Sequence, residues 1–144
     1  MLKKILIVIG LAAMLTAGAS ACGPDQEKEA KRRVTFNDLK NEPPMTEEEI
    51  LLYIKVLPEF APIETVNPAA EIDFYKKYNF TKNRFFYLRS KIANASLIVA
   101  GRNPDLSSFP ESLRPSDAEL ELIKNHFQEL KTATDEFVEV QRNR

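Results

Sequence analysis

Four sets of side chains in this sequence have the types to do chemistry: a cysteine, a histidine, grouped carboxylates, and cations interleaved with aromatic rings. Cys22 is the only thiol and His126 the only imidazole among 144 residues. A zinc or other soft-metal site needs several Cys and His ligands together, so one of each predicts no metal centre. A nucleophilic triad would have to recruit His126, and no recognisable nucleophile motif accompanies it. Glu47 to Glu49 and the pair Glu119 and Glu121 could supply a general acid and base. Both sets fall in the first turns of expected helices, where capping and the helix dipole account for them. With four glycines, two of them before Cys22, there is no glycine-rich phosphate loop. The expectation is a chain without catalytic residues, metal or cofactor.

The surroundings of Cys22 give it a different chemistry. Lys3 and Lys4, an apolar run from Ile5 to Leu15, and the small residues Ala17 to Ala21 make the three parts of an export signal. The apolar run is too short to span a bilayer, which takes about 20 residues. Ala19, Ser20, Ala21 and Cys22 resemble the lipobox of bacterial lipoproteins, in which an aliphatic residue, a small residue and Gly or Ala precede the cysteine. Ala19 departs from the preferred Leu, and the resemblance covers only the first 22 residues. It implies cleavage before Cys22, a diacylglycerol on its sulfur and an acylated new amino terminus. The implied partner is membrane lipid, through acylated Cys22, and the implied place is the cell envelope, facing the periplasm. Similarity to enterobacterial lipoproteins favours the outer membrane over the inner, because Gly23 rather than Asp follows the cysteine. Two or three acyl chains, at ~0.8 kcal/mol per buried CH₂, hold far more firmly than one. The alternative is an ordinary secreted protein, whose lone cysteine would then call for an intermolecular disulfide.

Three regions follow: a signal peptide over 1–21, a lipidated start and linker over 22–45, and a helical domain over 46–144. Loss of the signal leaves 123 of the 144 residues, enough for one domain with a core. Loss of Lys3 and Lys4 takes the formal charge from -1 to -3, a balance that gives no case for nucleic acid as a partner. The stretch from Gly23 to Pro44 is polar and charged and ends in paired prolines, so it reads as a flexible linker with an r.m.s. span of roughly 25 Å. Its cations from Lys28 to Arg33 could alternatively touch anionic lipid.

Helix signals dominate the rest. Thr46 and Glu49 make a capping box, with Met45 and Ile50 placed as a hydrophobic staple, opening a helix from about Thr46 to Leu57. Pro58 and Pro62 predict a kink or a separate short turn, either a hinge or a simple corner. Asn67 before Pro68 caps a second helix to about Tyr78. Thr81 opens a third, which stops at Gly101 and carries a core stripe of Phe85, Leu88, Ile92, Ala95 and Val99. After a proline-punctuated loop, Ser116 and Glu119 box the start of a last helix from Asp117 to Val140, roughly 36 Å long. Strand signals are weak throughout. The expected fold is all-α, a small antiparallel bundle of about four helices.

Charge and aromatic content single out one surface. From Glu71 to Arg102 the formal charge is +5, and from Asp117 to Glu139 it is -5. The two helices either pair with each other along their rims or leave a basic edge for an acidic partner or lipid headgroups. Seven aromatic rings lie between Phe74 and Tyr87, and the consecutive Phe85, Phe86 and Tyr87 point about 100° apart, so some ring should reach the surface. Such rings serve as core, as interface anchors, or as walls of an apolar pocket. The candidate partner-binding residues are Tyr75, Lys77, Tyr78, Lys82, Arg84 and Phe86. The expected function is that of a non-catalytic accessory or assembly subunit binding an envelope protein. The alternative is a carrier or sensor of an apolar ligand held between helices, with Phe74, Phe85 and Phe86 as its lining. Oligomeric state is left open.

Overall fold

Local capping chemistry starts most of the helices, and apolar contact then decides how far each one runs. The computed structural model describes residues 24–64 and 67–144. The expected signal peptide and lipobox, with Cys22, lie outside them. The described residues form helices α1 (Pro24–Lys31), α2 (Phe36–Leu39), α3 (Glu47–Phe60), α4 (Pro68–Lys77), α5 (Lys82–Val99), α6 (Asp117–Asn125) and α7 (Phe127–Arg142), with a 3₁₀ turn at Glu111–Leu113 and no strand. The expected all-α class is what forms.

Helix α3 opens as expected: Glu49 N donates to Thr46 Oγ1 at 3.3 Å, and Thr46 N donates to Glu49 Oε2 at 3.0 Å. It then runs through Pro58, beyond the expected stop. The lost hydrogen bond is offset by Phe60, which is fully buried with ring centroids 4.7 Å from Phe85 and 5.0 Å from Phe74. A turn over 61–64 follows, closed by Ile63 N and Glu64 N on Phe60 O.

Helix α4 is capped by Asn67, whose Oδ1 accepts from Ala69 N and Ala70 N at 3.0 and 3.2 Å. It ends where Asn79 takes a left-handed conformation (φ +56°), with Phe80 N donating to Tyr75 O. Gly101 ends α5 the same way at φ +78°, and Arg102 N closes onto Leu97 O. A Cβ on Gly101 would meet nothing within 4 Å, so the backbone angle rather than space calls for glycine.

Helix α5 is central because it buries two opposite faces. Phe85, Leu88, Ile92 and Ala95 form the expected stripe. Tyr87, fully buried, points the other way, and Lys91 and Asn94 share its side of the helix. One face meets α3 and α4, whereas the other meets α2, the 3₁₀ turn and α6. Phe86, between the two faces, is left partly exposed, as are Tyr78 and Phe80 before the helix.

The last helix is broken at His126, where one continuous helix was expected. Its first half packs on α5 and its second on α3, and one straight rod cannot follow both. His126 N bonds Leu122 O and Ile123 O, while its ring reaches Glu47 across the N-terminal end of α3. At the other end of the pair, Gln141 Nε2 donates to Ala61 O at 2.7 Å. Helices α3 and α7 therefore run in parallel, where a simple up-and-down bundle would make such neighbours antiparallel.

The segment expected as a flexible linker is, over its described part, a docked strap. Leu39 and Met45 are buried at 2 % and 4 % exposure. Ser112 Oγ donates to Leu39 O, Met45 N donates to Glu119, and the rings of Phe36 and Phe109 lie 4.9 Å apart. Two apolar side chains within a polar stretch are enough to fold it once a matching surface exists.

Candidate apolar groove between α5 and α7

Small side chains on two helices leave a gap that the surrounding residues do not fill. Ala93 and Ser96 on α5 face Thr134 on α7, and these low walls open a groove of about 480 Å³. Tyr53 and Leu57 of α3, Ile92 of α5, and Leu130 and Phe137 of α7 form its buried floor. Leu97 and Val138 stand at its rim, 39 % and 38 % exposed, two of the four large hydrophobic side chains most open to solvent among the described residues. The size is that of small-molecule sites and of grooves that take a helix face.

Charge is confined to the edges of the groove and is compensated there. The Arg89 guanidinium pairs with Glu64 and lies 5.0 Å over the Phe137 ring. Lys131 Nζ meets Asp135 Oδ2 at 2.8 Å on the exposed side of α7. Burial pushes the Tyr53 hydroxyl well above its ordinary range, so the floor stays neutral. The floor of the groove offers apolar contact.

The six residues expected to bind a partner gather at the α4–α5 corner, but most are used inside the molecule. Tyr75 is buried, and its hydroxyl has no hydrogen-bond partner among the described residues. Arg84 donates to the carbonyls of Pro43 and Pro44 at 2.6 and 3.0 Å and to both oxygens of Glu49. Lys82 lies 3.8 Å from Glu71, both side chains nearly covered. Lys77 and the Tyr78 hydroxyl share Glu59, whose carboxyl they hold below its usual range, Lys77 contributing most. Phe86 is half-buried with the Lys82 ammonium 6.0 Å from its ring centre. The basic edge is therefore largely neutralised by acids from α3, α4 and the strap. The rings of Phe74 and Phe85 pack against each other and Phe60, and the groove lies elsewhere.

A second polar cluster sits under a cleft of about 660 Å³ bounded by Glu42, Tyr87, Glu111, Arg114 and Ser116. At its floor Lys91 Nζ meets Glu119 Oε1 at 2.7 Å and donates to the Tyr87 hydroxyl at 2.9 Å. Burial would raise Glu119, but the Lys91 ammonium, the backbone N–H groups of Ser116 and Met45, and the Ser116 hydroxyl hold it below the usual carboxylate range. Every acceptor position of Glu119 is occupied by a structural donor, so the cluster fastens elements together. Among the described residues no three His, Cys, Asp or Glu side chains are grouped to hold a metal ion, and no helix is long and apolar enough to cross a membrane. No protein-family model matches the chain, and no curated protein or solved structure is significantly similar to it.

Leu97 and Val138 were missed by sequence reasoning. Leu97 follows Ala93 by one helical turn on α5, outside the core stripe, and that pairing was the available signal.

Proposed function

We propose that this chain is a bacterial envelope lipoprotein, anchored through acylated Cys22, that acts as a non-catalytic accessory or assembly subunit by binding another protein. The observation that carries the binding role is the open apolar groove with Leu97 and Val138 exposed at its rim. A single exposed apolar side chain needs no explanation, but a Leu and a Val bordering one apolar groove mark a place for a partner. The occupant that fits is an amphipathic helix of an envelope protein, laying apolar side chains at helical spacing between α5 and α7. The anchor is supported by the basic start, apolar run, small residues and cysteine of the first 22 positions.

The test places a photo-crosslinking residue at Leu97 or Val138, with Lys124, an exposed position on α6, as control. Adducts from both rim positions should map to one helix of one envelope protein, at spacings of three or four residues, and should be absent from the control. Leu97→Glu with Val138→Glu should abolish them while changing stability by no more than about 0.5 kcal/mol per site. Equal crosslinking from Lys124, or none from the rim, would overturn the reading. A lipid copurifying in the groove by native mass spectrometry would move the function to the carrier of an apolar ligand, which the volume also accommodates.

A further inference from the structure

Only Gly23 lies between Cys22 and the first residue of α1. Two residue steps span at most about 7 Å, so an acyl chain on Cys22 is joined almost directly to a helix. From that helix onward the chain is pinned. Helix α1 lies along α4. Arg32 Nη2 donates to Asn83 on α5 at 2.8 Å, and its Nη1 pairs with Asp38 at 3.2 Å. Further along, Leu39 O accepts from Ser112, the carbonyls of Pro43 and Pro44 accept from Arg84, and Met45 N donates to Glu119. The slack that a 22-residue coil would supply, roughly 25 Å of r.m.s. span, is absent between Pro24 and Met45.

We infer that the bundle is held with its α1–α4 side against phospholipid headgroups rather than floating on a tether. The inference rests on the reading of Cys22 as the acylated residue. On α1, on α4 and just after α1, Lys28, Lys31, Arg33, Lys76 and Lys77 are exposed, Lys77 paired with Glu59, and so are the acids Asp25, Glu29 and Asp73. A basic residue near an anionic leaflet is worth about 1 kcal/mol, and a facing acid offsets it, so the short covalent link rather than charge sets the position. Helix α5 then runs from Asn83, beside the strap, to Leu97 at the groove rim, roughly 21 Å along its axis. The docked strap thereby keeps the partner groove at a set position relative to α1.

The test uses the acylated mature chain in vesicles of phosphatidylethanolamine and phosphatidylglycerol. Acylation consumes Cys22, so Lys28→Cys takes a spin label alone, and a nickel-chelating lipid reports its proximity to the headgroups. The second protein carries about 20 Gly and Ser residues inserted between Gly23 and Pro24, giving roughly 25 Å of flexible span. Strong nickel broadening at the native spacing, lost after the insertion while both proteins float with vesicles, is the expected result. Equal broadening in the two, or none at native spacing in a floating protein, would overturn the inference. A protein that does not float at all would overturn the acyl anchor itself, and the headgroup face with it.

Discussion

Lys91 Nζ and Glu119 Oε1 lie 2.7 Å apart with each side chain 5 % exposed, and this pair joins the central helix α5 to α6. Glu119 has further donors in Met45 N, Ser116 N and Ser116 Oγ, whereas among the described residues the Lys91 ammonium has only the Tyr87 hydroxyl besides. The two partners are therefore unequally dependent on each other. Glu119→Leu strands a buried ammonium and frees two backbone N–H groups, and should cost about 3–5 kcal/mol. Lys91→Met leaves the carboxylate three donors and should cost clearly less. Urea unfolding of the two variants checks the order, and an equal or larger cost for Lys91→Met would contradict it.

Glu119 and Glu49 are both held below the usual carboxylate range. In each, burial acts to raise the pKa and is outweighed, for Glu119 first by Lys91 and for Glu49 first by Arg84. A carboxylate lowered on folding contributes stability that is complete above its unfolded pKa and is lost as pH falls through its folded pKa. The urea midpoint should thus fall below about pH 4.5. Glu119→Gln has no proton to take up, so its midpoint, though lower at neutral pH, should decline less steeply in acid. Parallel curves for the two proteins would remove Glu119 as a source of the acid sensitivity.

Docking of the strap gives a separate expectation. Leu39 is 2 % exposed beneath α5 and the loop that carries Ser112. Leu39→Ala should destabilise the whole domain by about 2–5 kcal/mol, as a core leucine does. In a solvated linker the same change would be neutral. Thermal unfolding distinguishes the two, and an unchanged transition would mean that the strap adds nothing to the fold.

The starts of α3, α4, α5 and α6 were legible in the sequence because capping is local: Thr46, Asn67, Thr81 and Ser116 each bond an N–H two or three residues ahead; the starts of α1, α2 and α7 were not expected. The features that depend on assembly were not legible. Leu39 and Met45 are lone apolar residues in a charged stretch, and only a finished surface makes them core. The break at His126 has no proline or glycine, and comes from the need of α6 to follow α5 while α7 follows α3. Tyr87, Lys91 and Asn94 do recur at spacings of four and three, but two polar residues hide that second buried stripe from a hydrophobicity pattern. Grouped cations were visible as charge, whereas their partners Glu42, Glu49 and Glu59 come from other segments of the chain.

Cys22→Ser separates the anchor from the fold. Among the described residues the buried ones nearest in sequence to Cys22 are Leu39 and Met45, and the core is otherwise built from α3 onward. Replacing one sulfur by oxygen at position 22 removes none of those contacts, so the far-ultraviolet circular dichroism and the urea midpoint should be unchanged. A hydroxyl in place of the thiol cannot form the thioether to diacylglycerol, so labelling by radioactive palmitate and sedimentation with membranes should both be lost. The loss should be nearly complete, because removing acyl chains forfeits ~0.8 kcal/mol for each buried CH₂, far more than the balanced charges near α1 could replace. Membrane retention in the unlabelled variant would show that something other than acylation holds the protein, and would also withdraw the short tether on which the headgroup-facing orientation depends.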